Sequence, residues 1–149
     1  MVQRLAGYKS VMKKNGLAEK IKAIGYDVEK MSCIRLIRKF LVANKSTDAV
    51  FFATNYLTLS GLEALKELQI RVSQDLGVIV FDDNTNFELF EPSISAVAQP
   101  IVEIGEKVTK IMLDLLENRD RQNLQQLVLK TSLQIRSSSV NLQAVKIGA

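Results

Sequence analysis

An α/β layered fold with a mainly parallel sheet is what this sequence predicts, and three observations carry the prediction. Segments with helical spacing alternate with short apolar runs, the pattern that lays helices on a parallel sheet. One of those runs, Val78-Ile79-Val80-Phe81, has no polar face, as a strand covered on both sides requires. It leads straight into Asp82-Asp83-Asn84, and open α/β sheets bind their ligands beyond the carboxyl ends of the strands.

The elements follow in order. Leu5, Tyr8, Val11 and Met12 recur at helical spacing over residues 2–14, and Gly16 is a plausible stop. Residues 21–24 (IKAI) form a short β-like patch, followed by Tyr26-Asp27-Val28. A second helix begins near residues 29–32 and runs to Asn44, burying Ile34, Ile37, Phe40 and Leu41 while Arg35, Arg38 and Lys39 face water. Residues 48–54 (DAVFFAT) read as a buried strand, and residues 57–68 as a third helix whose Gly61 permits close packing. The central strand, residues 77–81, gives way to a polar loop spiked with aromatics and then to a short extended piece at 95–98. Pro100 stands at a good first helical position for the longest and most periodic helix. Its apolar residues are Ile101, Ile104, Val108, Ile111, Met112, Leu115 and Leu116. Residues 124–131 and 133–135 look like strands, and the chain from Ser137 is weakly patterned.

Composition removes several classes of chemistry. A chain of 149 residues, 47% of them hydrophobic, is one domain long and has the apolar content for a core. Its apolar runs fall far short of the roughly 18 residues of a membrane span, and Arg4 and Lys9 interrupt the only early apolar stretch, so neither membrane nor signal peptide is expected. The single cysteine, Cys33, suits a packed residue in a reducing, cytoplasmic setting. With no histidine, Ser-His-Asp and Cys-His nucleophiles are excluded, and a transition-metal site is not expected. Residues 1–45 carry eleven Lys/Arg against three acids, whereas the remainder carries nine against thirteen. The basic end reads as the solvated faces of two helices, because no aromatics are interleaved for base stacking.

Right-handed crossovers gather successive strand ends on one edge, which brings Tyr26, Asp27 and Val28, Thr54 and Asn55, and Asp82 and Asp83 to a common rim. Strand alternation forbids the two aspartates from pointing the same way. The set holds hydrogen-bonding groups, with no strong nucleophile and no general base near its working pKa, so it suits gripping a hydroxylated or amide-bearing molecule rather than breaking one. Each residue also has a plain structural alternative. Asp82 and Asp83 can cap the loop, Asn55 can cap the third helix and Asp27 the second.

Several segments resemble one family. Arg4-Leu5-Ala6-Gly7-Tyr8 opening a helix, the run from Asp48 to Asn55 followed by Leu59-Ser60-Gly61-Leu62-Glu63-Ala64-Leu65, and residues 70–83 (IRVSQDLGVIVFDD) are similar, in order and spacing, to segments of LacI/GalR-type transcription regulators. So are residues 92–100 (PSISAVAQP) and 133–138 (LQIRSS). The resemblance implies a three-layer αβα, periplasmic-binding-protein-like core, mostly its second lobe. Residues 1–98 and 131–138 would build that lobe, residues 99–130 would be a hinge crossover with a helix and strand belonging to the first lobe, and 139–149 would be a tail. The helix-turn-helix headpiece and most of the first lobe have no counterpart.

Carried over residue by residue, the resemblance assigns effector binding to Arg4, Asn55 and Asp82, with Tyr26 or Val28, depending on register, in place of an aromatic platform. Tyr56 stands where the family usually has Asp. A dimer interface is implied at Leu57, Gly61, Leu65, Phe87, Leu89 and Phe90. The implied partners are a small-molecule effector of carbohydrate type, a second copy of the chain, and operator DNA only through the absent headpiece. No cofactor is implied. In isolation the long helix is expected to fold back over the sheet or to pair with another copy. Two rivals share the fold class: a transport-type sugar-binding lobe, and a receiver or phosphoryl-transfer domain using Asp27, Asp82 and Asp83 around magnesium.

Overall fold

The structure is a computed structural model and describes residues 2–117 and 126–140. The elements run α1 (Val2–Lys14), α2 (Lys30–Ala43), β1 (Ala49–Phe52), α3 (Asn55–Glu67), β2 (Gly77–Phe81), β3 (Ser95–Ala98), α4 (Ile101–Glu117) and β4 (Ser132–Gln134). The sheet order is β1-β2-β3-β4, with the first three strands parallel and β4 antiparallel to β3. This is the α/β, mainly parallel arrangement that the alternating pattern predicts.

Register explains where the core sits. Phe52 lies beside Val80, and Val80 beside Ala96, so all three point to one face of the sheet. Val78, Val80 and Ala96 are wholly buried there. α3 covers this face, and Gly61 is the reason it approaches so closely: a Cβ at that position would collide with the Phe52 ring. α2 contributes Cys33, Ile34, Ile37 and Leu41 to the same core. Burying a side chain of this size contributes about 1.5–3 kcal/mol. On the other face, Phe51, Ile79 and Phe81 are only partly covered, and the guanidinium of Arg4 from α1 lies over the Phe81 ring, 3.4 Å from its centroid. Helical residues therefore stand on both sides of the sheet.

Two expectations need correction, and a third is narrowed. Residues 21–24 enter no ladder among the described strands, because β1 is bonded only to β2 and a lone extended segment has no backbone partner. The segment is held by side chains instead: the Lys20 N–H donates to the Tyr8 hydroxyl at 3.1 Å, and Lys20 Nζ donates to Ser46 and Thr47. Of the strand expected at 124–131, residues 124–125 lie outside the described residues, and 126–131 carry no regular structure. Of the two alternatives expected for α4, folding back over the sheet is not the one the described residues show. None of its residues is buried, and Ile101, Val108, Met112, Leu115 and Leu116 are all exposed.

Candidate functional site

The carboxyl ends of β1 and β2 are joined by Arg4. Its Nη1 donates to the Ala53 carbonyl at 2.6 Å, while its planar face rests on Phe81. One N–H is thereby spent, and the others make none of the described hydrogen bonds. A positive charge in a helix's first turn is mildly unfavourable, and these contacts, a backbone carbonyl and an aromatic face, offset it, each being attractive to a cation.

Asn55 does not cap α3. Thr54 is the N-cap: its backbone is extended, with φ −150°, and its hydroxyl accepts from the Leu57 N–H. Asn55 is the first helical residue and its exposed side chain makes none of the described hydrogen bonds, so the amide is free to face the rim.

The aspartate pair splits its duties. Asp82 continues the ladder by donating its N–H to the Val97 carbonyl at 3.0 Å, then turns through a left-handed φ of 72°. Aspartate tolerates that region better than most residues. Its carboxylate accepts from the side-chain amide of Gln99, which lies in the β3–α4 crossover. Asp83 takes a bidentate hydrogen bond from Arg136 at 2.8 and 2.9 Å. Arg136 also donates to Glu88 at 3.0 Å and to the Ile94 carbonyl at 2.8 Å. The Arg136 hydrogen bonds hold the Asp83 carboxyl below the usual carboxylate range, against a smaller opposing effect of burial, and Arg136 is raised in turn chiefly by Asp83. Asp82 thus stands at the rim, whereas Asp83 is structural.

Tyr26 and Val28 sit on the turn that precedes α2. The turn closes with the Val28 N–H on the Gly25 carbonyl, and the Tyr56 hydroxyl donates to the Val28 carbonyl. Tyr26 and Tyr56 are ring neighbours, with centroids 5.8 Å apart and planes tilted by 40°. The turn is thereby fastened to the first turn of α3, next to Asn55. Tyr56, Phe81 and Gln99 are therefore neighbours of the site that sequence reasoning did not assign to it. Tyr56 carried a signal, as an aromatic directly after the rim asparagine, but Gln99 had none.

The six residues assigned to a dimer face do not form one surface. Gly61 and Leu65 are buried against this chain's own core, and Phe87 is 2% exposed beneath its loop, 6.2 Å from the Phe90 ring. The reason is that α3 turns that stripe to the sheet. Leu89 and Phe90 are exposed, and Leu57 is partly covered.

Among the described residues, no cluster of three His, Cys, Asp or Glu side chains is placed to hold a metal ion. Nor is any described helix long and apolar enough to cross a membrane. Chemically, the rim offers a guanidinium, an amide, a carboxylate and aromatic faces, which recognise hydroxyl groups and flat apolar surfaces.

An α/β sheet with polar groups beyond its strand ends is the frame in which open α/β folds place their ligands. Residues 1–139 match the periplasmic binding protein-like domain, and the chain belongs to that family. Its relatives are transcription regulators, as the LacI/GalR resemblance implied. It is 30% identical over 138 residues to the HTH-type transcriptional regulator CelR of Thermobifida fusca, covering 92% of this chain and 40% of the relative. It is 28% identical over 118 residues to the HTH-type regulator RegA of Clostridium saccharobutylicum, covering 78% of this chain and 36% of the relative. A solved CelR–cellobiose complex superposes with a TM-score of 0.79 at 29% identity, over 93% of this chain and 42% of that one. A ribose-bound LacI family regulator from Enterococcus faecium, at 20% identity, shares the fold with a TM-score of 0.77. The chain thus spans about 40% of the length of relatives such as CelR.

Proposed function

We propose that the chain is the effector-binding part of a LacI-type transcriptional regulator, sensing a sugar or a similar small polyhydroxy molecule. Arg4, Asn55 and Asp82 take its hydroxyls, and Tyr26 and Val28 line the flank. The observation that carries the reading is Arg4, which ties the carboxyl ends of β1 and β2 together and leaves donors spare, beside an uncommitted Asn55 amide. In this reading residues 1–98 and 131–138 form one lobe, and residues 99–130 cross to a second. The exposed α4 and the Gln99 link to Asp82 support that division. A ligand held between lobes shifts their arrangement and, through it, the binding of operator DNA, so the chain alone holds only one wall of the cleft. Copies associate through Leu57, Leu89 and Phe90.

The binding reading is tested by NMR titration of the chain with cellobiose and with ribose. Saturable shifts at Arg4, Asn55 and Asp82 that vanish in Asp82→Ala are expected. Shifts that persist unchanged in Asp82→Ala and Asn55→Ala overturn the assignment.

A further inference from the structure

We propose that the trough between the carboxyl-terminal ends of α2 and α3 is a docking surface for an acidic amphipathic helix of a partner protein. The surface goes beyond the effector-binding reading and lies away from its rim. Thr47 precedes β1, and Asp75 and Leu76 precede β2, so the trough stands at the amino ends of the strands whose carboxyl ends carry the rim. Strands of four and five residues put about 13–17 Å between the two ends.

The trough consists of two hollows, of about 290 and 470 Å³, joined at Val42 and Leu68. Each far exceeds the roughly 30 Å³ of one water, so side chains suit it as occupants. The floor is apolar: Leu41 and Leu76 are buried, Leu68 and Ile70 are half-buried, and Val42 is 52% exposed at the junction. The border is cationic. Arg35, Arg38, Lys39 and Lys45 line it against one acid, Asp75. Asp75 is already held by Arg71, whose Nε donates to it at 2.8 Å, and Arg38 is held by Glu67 at 2.7 Å. Arg35, Lys39 and Lys45 make none of the described hydrogen bonds or ion pairs.

Shape and charge together select the occupant. Arg35, Lys39 and Val42 recur at helical spacing, so one face of α2 presents two free cations and an apolar anchor along two turns, about 10 Å. A partner helix of similar length places leucine-sized side chains in the hollows and carboxylates on the cations. The negative carboxyl ends of α2 and α3 are blunted against it. Asn44 donates its N–H and its side-chain amide to the Leu41 and Phe40 carbonyls, and the Leu68 and Gln69 N–H groups donate to the Ala64 and Lys66 carbonyls.

The probe is a fluorescein-labelled peptide of about 14 residues, with leucines at helical spacing on one side and glutamates on the other. Its control is a shuffled isomer, equal in charge but with the leucines scattered. Fluorescence anisotropy with the full chain should show saturable binding of the amphipathic peptide, about fivefold or more tighter than the isomer. Arg35→Glu combined with Lys39→Glu should weaken it by about tenfold, and Val42→Ser by about three- to fivefold, with the melting transition unchanged. Should a variant fail to fold, NMR of the parent decides. Peptide-induced shifts are expected at residues 35–47 and 68–76, with Arg4, Asn55 and Asp82 unmoved.

Equal affinity for the two peptides, or indifference to the charge reversal, overturns the docking surface. So do shifts centred on the open face of α4, and so does tighter binding of a random DNA duplex than of the peptide. Shifts at residues 35–47 that appear with rising protein concentration alone would put α4 of a second copy, with Glu103, Glu106 and Glu117, in the trough and overturn the foreign partner.

Discussion

α3 and α4 look alike in sequence and end differently in space. Both are amphipathic and begin directly beyond a parallel strand. Yet α3 buries Thr58, Ser60, Gly61, Ala64 and Leu65, while α4 buries nothing. Periodicity shows that a helix owns an apolar face, and it does not name what covers that face. For α3 the partner is supplied by the strand before it: Phe52 meets Gly61, and the chain returns as β2 beneath the same stripe. For α4, Ile104, Val108, Met112 and Leu115 remain open to solvent.

The comparison is broken most sharply from the packed side. Leu65 is 1% exposed, and Leu65→Ala is expected to cost about 2–5 kcal/mol in chemical denaturation, for lost transfer energy plus the cavity. Gly61→Val drives side-chain atoms into the Phe52 ring and should cost about 1–3 kcal/mol by the same measurement. A loss under about 0.5 kcal/mol for either would mean that α3 is no better packed than α4.

A middle-sized effect is expected where the chain comes back after α4. Arg136 follows β4 and is held by Asp83, Glu88 and the Ile94 carbonyl, which makes it the clasp between the returning segment and the packed half. Arg136→Gln leaves the Asp83 carboxylate poorly paired, and about 1–3 kcal/mol should be lost at neutral pH. The sign with pH follows from the depressed Asp83 carboxyl. Its contribution is complete above the ordinary value of 3.8 and falls away as pH drops through the lower folded-state value. In acid titrations monitored by circular dichroism, Arg136→Gln should therefore close most of its gap to the parent as Asp83 is protonated. A constant gap down to the acid limb would remove the clasp from the account.

How far the sequence spoke can be traced along the same division. Strands β1 and β2 were legible because both faces are apolar, and with them the places of Asn55 and Asp82 just beyond two strand ends; Tyr26 to Val28, expected at a third strand end, sit on a turn instead. That Asp82 and Asp83 differ was legible, but the cause is the left-handed turn at Asp82 and the Arg136 contact of Asp83 rather than strand alternation. What stayed hidden depends on contacts between distant parts of the chain. Whether Ile21–Ile24 pairs as a strand is decided by a neighbour, not by its own pattern. Asn55 and Thr54 both suit an N-cap, and only backbone geometry gives the role to Thr54. The Gln99 contact with Asp82 spans 17 positions and carries no periodic mark. The resemblance implies a dimer contact along α3, and the burial of Gly61 and Leu65 in this chain's own core leaves Leu57 as the α3 residue of that set still partly open.

The smallest expected effect on stability comes from α4, and it is the most discriminating. Val108 and Met112 lie one turn apart and are 51% and 59% exposed. Replacing both with lysine, whose stem covers similar ground, removes little buried area from this chain, so the denaturation midpoint should move by no more than about 0.5 kcal/mol equivalent at high dilution. An open face of that kind favours association beyond the contact proposed at Leu57, Leu89 and Phe90, and sedimentation velocity should show concentration-dependent self-association of the parent that the double variant reduces. The two measurements pull apart the ways α4 can be satisfied. A destabilisation near that of Leu65→Ala at high dilution would place the face against the chain's own body, and the contrast with α3 would collapse. Unchanged stability with reduced association leaves the contrast intact, because a face the fold does not cover is then partly covered by another copy.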